Sequence, residues 1–94
     1  MDSPSSPTQE NLMGFVEGEL ERADEFLEDA AAYLQLRHFF FAVESLQNAS
    51  QAMEIAERYL SDVTEPNHRL RYQANVRAAR ERVRRLEQSI TTER

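Results

Sequence analysis

Apolar residues recur along the first third of the chain at Met13, Val16, Leu20, Ala23, Leu27, Ala30 and Leu34, separated alternately by three and four positions. That spacing lines up on one face of an α-helix and on no face of a strand. Leu12, Phe15, Phe26 and Tyr33 form a second stripe expected to widen the same face. Glu17, Glu19, Glu21, Asp24, Glu25, Glu28 and Asp29 occupy much of the remaining surface. A second series, Phe39, Ala42, Leu46, Ala49, Met53, Ala56 and Leu60, alternates in the same way, and a third runs through Tyr72, Val76, Ala79, Val83, Leu86 and Ile90. The pattern therefore predicts three amphipathic helices, over about residues 8–35, 38–61 and 66–91.

The five-residue interval from Leu34 to Phe39 breaks the phase of the stripe, which places a turn near Gln35 to His38 although neither glycine nor proline marks it. An unbroken helix from about Thr8 to Ser61 is the alternative, and it would leave Phe39, Phe40 and Phe41 poorly covered. The second boundary is marked chemically. Ser61, Asp62, Val63, Thr64, Glu65, Pro66 and Asn67 combine cap-forming side chains with a proline that cannot sit inside a helix. At the amino terminus, Ser3, Pro4, Ser5, Ser6 and Pro7 read as a flexible tail over residues 1–7, with Ser6 as N-cap, Pro7 at the first helical position and Gln9 completing a capping box. The expected fold is all-α, a three-helix up-down-up bundle built on an antiparallel helical hairpin, in one domain over residues 8–94. Its core should hold Leu20, Ala23, Leu27, Ala30, Leu34, Ala42, Leu46, Ala49, Met53, Ala56, Val76, Ala79, Val83 and Leu86.

At 94 residues the chain can bury only a modest fraction of its unfolded surface, so association with a partner is a natural expectation. It contains no cysteine, which removes disulfides, thiolate metal sites and cysteine nucleophiles. No apolar run approaches the roughly 18 residues of a membrane span, and MDSPSSPTQEN lacks the regions of a signal peptide, so a cytoplasmic location is the default expectation. The net charge of −6 is unevenly divided: residues 1–65 carry 14 acids and 3 arginines, whereas residues 66–94 carry 8 arginines and 3 glutamates. The two parts attract each other.

No constellation points to catalysis or to a cofactor. Glu65 and His68 have the E-x-x-H spacing used in carboxylate-bridged metal bundles, but the motif straddles a proline turn and does not recur, since Gln35 stands three residues before His38. A helix-capping segment is the simpler reading, and no metal is expected. The serines lie without a histidine at a suggestive spacing, and Gly14 and Gly18 fall on a helix and cannot form a phosphate loop. The acidic run of the first helix reads as a solvated face opposite its apolar stripe. On the third helix, Arg69, Arg71, Arg77, Arg80, Arg82, Arg84 and Arg85 could neutralise phosphates, which makes a nucleic-acid-binding accessory protein the alternative function. The overall negative charge opposes it.

Successive residues on a helix lie about 100° apart, so Phe39, Phe40 and Phe41 cannot all face one core, and at least one should look outward, either to pack on the third helix or to anchor a protein interface. The third helix has a narrow seam close to a coiled-coil pattern and is the element expected to meet another chain. Together these features predict an interaction surface of Phe40, Phe41, Arg77, Arg80, Val83, Arg84, Leu86 and Ile90, on a non-enzymatic interaction or scaffold module that forms a homodimer.

The segment DAAAYLQLRHFFFAVESLQNASQAM, Asp29 to Met53, resembles a family of short archaeal helical proteins described as the domain of unknown function number three hundred and fifty-seven. The matching positions are Asp29, Ala30, Tyr33, Leu34, Phe39, Ala42, Leu46 and Ala49. That family favours glycine where Arg37 stands, and a Gly and an Asp where this chain has Gln51 and Glu54. The resemblance implies a helical hairpin and no particular activity.

Overall fold

The chain breaks its first apolar stripe with a left-handed residue. Arg37 has φ 61°, and the turn it makes donates two backbone hydrogen bonds to the end of the preceding helix, His38 N–H to Tyr33 O at 2.9 Å and Arg37 N–H to Leu34 O at 3.0 Å. This pair of bonds is a Schellman motif, which satisfies carbonyls that a helix end leaves without partners. A computed structural model describes residues 7–93, and in it the turn joins α1, Pro7–Gln35, to α2, Phe39–Leu60. The hairpin is thus formed and the unbroken helix is not. A third helix, α3, spans Pro66–Glu93, and no strand occurs among the described residues. Most of the expected tail, with the Ser6 cap, lies outside the described residues, and Pro7 opens α1.

The second turn is closed by side chains. The Glu65 carboxylate accepts hydrogen bonds from the backbone N–H groups of His68, at 2.9 Å, and Asn67, at 3.2 Å, so Glu65 is the N-cap of α3 and Pro66 its first helical residue. Gln9 holds the same loop from the far side. Its amide nitrogen donates to Asp62 O at 3.1 Å, and its oxygen accepts from both the N–H and the hydroxyl of Thr64, each at 3.1 Å.

The result is an up-down-up bundle with extents of 57 × 17 × 16 Å. Alanines at 23 and 30 on α1 and at 42, 49, 52 and 56 on α2 are buried, and their small side chains let these two helices pack closely, in the most extensive helix pairing of the molecule. α3 covers one side of the hairpin. Two buried clusters run along the axis, one around Leu27, Leu34, Leu46 and Met53 with Val83 and Ile90, the other around Val16, Leu20 and Leu60 with Tyr72 and Val76. Every expected core residue is buried except Leu86, which is half-buried against the first cluster. Val63 plugs the second cluster from the α2–α3 loop and is fully buried, a position that no periodic pattern marks. Among the described residues no helix is long and apolar enough to cross a membrane.

Two substitutions test this account. Leu46→Ala removes a buried side chain from the hairpin core and is expected to lower stability by about 2–5 kcal/mol in urea titration; a loss below ~1 kcal/mol would mean the stripe is not buried. Arg37→Gly should raise stability by about 0.5–1 kcal/mol, because glycine adopts the left-handed conformation without the steric penalty of a side chain. Arg37→Ala keeps that penalty and should show no gain.

Candidate interaction surface

The eight residues expected at an interface separate into three environments. Phe40 and Phe41 are 73% and 48% exposed at the hairpin tip, where Leu36 is also 63% exposed. Their rings form a connected set: Phe40 meets Phe41 edge-on at 5.5 Å between centroids, and Phe41 lies 5.5 Å from Tyr33. Phe39, the third of the run, turns inward against the core, with the Arg37 guanidinium over its ring at 5.4 Å. The helical rotation therefore divides the three phenylalanines between core and surface.

Arg77, Arg80 and Arg84 line one groove between α2 and α3, together with Arg69. Arg80 is ion-paired with Glu57 across that groove, and Arg84 with Glu81 on its own helix at 3.2 Å. Two of the four guanidinium charges in the groove are thus offset by neighbouring carboxylates. Val83 and Ile90 are buried within the chain, and Leu86 packs against the same cluster. The reading of these three as a seam facing another molecule is corrected here: α1 and α2 leave an apolar side of their own, and α3 covers it with this stripe.

The second stripe of α1 widens its apolar face through Leu12, Phe26 and Tyr33, which pack against the two core clusters. Phe15 departs from it: it meets Tyr59 of α2 edge-on at 5.0 Å and is 44% exposed. Positions 15, 26 and 33 are offset by one from the main stripe, which turns them about 100° around the helix.

The most connected polar group joins α1 to α3. The Glu17 carboxylate accepts from the Tyr72 hydroxyl at 2.7 Å and from Arg71 at 3.1 Å, and the Arg71 guanidinium lies over the Tyr72 ring at 5.2 Å. His68 stacks on Tyr72 with centroids 6.0 Å apart and approaches Arg71 through Nδ1 at 3.3 Å. Burial, with the Glu17 carboxylate second, pushes the Tyr72 phenol above its ordinary value. The N–H of His68 above all, and that of Asn67, hold the Glu65 carboxyl below the usual range. Among the described residues no three histidine or carboxylate side chains gather into a metal-sized group. The cluster works as a clasp: Glu17 has its charge matched by Arg71 and its remaining capacity used by a buried hydroxyl.

No family model matches this chain, and neither a curated protein nor a solved structure does.

The clasp makes a prediction for alkaline solution. A folded-state phenol held above its unfolded value near 10 contributes stability that is complete below that value and is lost as pH rises through the folded one. Unfolding midpoints of the unmodified protein should therefore fall above pH ~10. Tyr72→Phe should flatten that limb while lowering stability at neutral pH by about 1 kcal/mol through loss of the hydrogen bond. An alkaline limb unchanged in Tyr72→Phe would remove Tyr72 from this role.

Proposed function

We propose that the protein is a non-enzymatic helical interaction module that self-associates through aromatic side chains on the hairpin. The observation that carries this reading is the contiguous exposure of Leu36, Phe40 and Phe41 beside the half-buried Tyr33. Exposed aromatics that already touch one another lose little rotamer freedom on binding, and such residues dominate the affinity of protein interfaces. Small size adds to the case, because a bundle 17 Å across leaves much of each helix near solvent and gains from a second copy.

The arginine groove favours a second reading, a contact with phosphates through Arg69, Arg77, Arg80 and Arg84. It is the weaker of the two. Glu57 and Glu81 already offset Arg80 and Arg84, and the chain as a whole is acidic. Binding of this kind would decline steeply with rising salt, whereas burial of aromatic surface would not.

Sedimentation equilibrium tests the proposal directly. The unmodified protein should be a dimer at tens of micromolar, and Phe40→Asp with Phe41→Asp should give a monomer of unchanged helicity, since both side chains are exposed. A stable monomer of the unmodified chain in that range would sink the reading.

A further inference from the structure

We infer that the α1–α2 face turned away from α3 is a self-complementary docking surface, on which a second copy of the chain lies end for end. The inference rests on the self-association proposed above and specifies its surface and geometry.

The hairpin has two apolar sides. On α1, the residues lining the groove shared with α3 are Glu17, Leu20, Glu21 and Asp24. On α2, those beside α3 include Leu46, Ser50 and Glu54. The opposite side carries Phe15 and Tyr59 at one end and Tyr33 and Phe41 at the other, each pair in ring contact across the groove, with Phe26 and Ile55 half-buried between them. The face runs about 36 Å from Leu12 to Leu36 at ~1.5 Å per residue and is about 20 Å wide, two helix diameters. That is roughly 700 Å² in projection, beside the ~800 Å² per partner of a standard stable interface.

The exposed charges that α1 carries on this side are sorted by end. In both aromatic pairs the residue numbers add to 74, so position n on α1 lies level with 74 − n on α2. Arg22, about two helical turns from Phe15, is exposed toward the Phe15–Tyr59 end, and Asp29, about two turns further on, is exposed toward the Tyr33–Phe41 end. Neither of these two charges has an ion-pair partner within the described chain.

With their helices aligned, two copies can be stacked face to face about a two-fold axis in two ways. With like ends together, α1 of one copy lies over α2 of the other, and Arg22 and Asp29 fall level with Ala52 and Ser45, which offer no charge. Turned end for end about the midpoint between the aromatic pairs, α1 lies over α1, and Arg22 of one copy falls about three residues' rise, ~4.5 Å, from the level of Asp29 of the other; symmetry repeats the pair. The same rotation sets Phe15 level with Tyr33 of the other copy, and Tyr59 level with Phe41. Aromatic burial supplies the affinity, and the charge pattern selects the direction.

The chain lacks cysteine, so Gln35→Cys creates a unique labelling site at the tip. Nitroxide pairs in the dimer should lie about 40 Å apart in the end-for-end arrangement and about 20 Å apart with like ends together. Arg22→Glu should weaken dimerisation at least ~10-fold, as should Asp29→Arg, and mixing the two variants should restore a heterodimer. A dimer with the short distance, or one indifferent to these reversals, overturns the geometry and leaves self-association standing. A monomeric unmodified protein overturns both, and leaves the face to another partner.

Discussion

Everything in this fold depends on the close approach of α1 and α2. Six buried alanines divide that contact between the two helices, and no charged side chain is buried there. A helix pair that packs through small residues approaches closely, and the larger Leu27, Leu46 and Met53 fill one cluster beside the alanines and hold it in a single register. The phase slip at Arg37 serves this registration. Without it the stripe of α2 would rotate away from α1, and the alanines would face solvent.

Once the hairpin is fixed, α3 has one place to go and a chemically mixed way of holding it. Val76, Val83 and Ile90 enter the grooves, while Tyr72 reaches Glu17 and Arg80 reaches Glu57. Exposed ion pairs of this kind contribute little energy, so hydrophobic burial carries most of the attachment and the pairs fix its register. The division of charge along the sequence is met in part inside the molecule: Arg71 and Arg80 of α3 pair with Glu17 of α1 and Glu57 of α2, and Arg37 reaches Glu93 at the other end of α3 at 3.7 Å.

How far the sequence could be read follows from which signals are periodic. The three stripes place Leu27, Leu46 and Val83 in the core because burial on a helix repeats every three or four residues. Val63 escaped, since a single loop residue has no period, and Gln9 escaped as a tertiary contact because its partners are more than fifty positions away. The phenylalanine run was legible as a split between core and surface, and Phe40 and Phe41 are the exposed members. Periodicity did not distinguish a stripe that another helix of the same chain covers from one that faces solvent. That ambiguity is why Val83 and Ile90 read as an outward seam, and why Phe15 reads as inward.

The bridge from Gln9 to Asp62 and Thr64 joins the first turn of α1 to the loop that precedes α3. The loop between α2 and α3 is thereby held from both sides, by the buried Val63 beneath it and by Gln9 above it. The entry of α3 and the start of α1 are thus one mechanical unit: neither end can fray without breaking the bonds of the other.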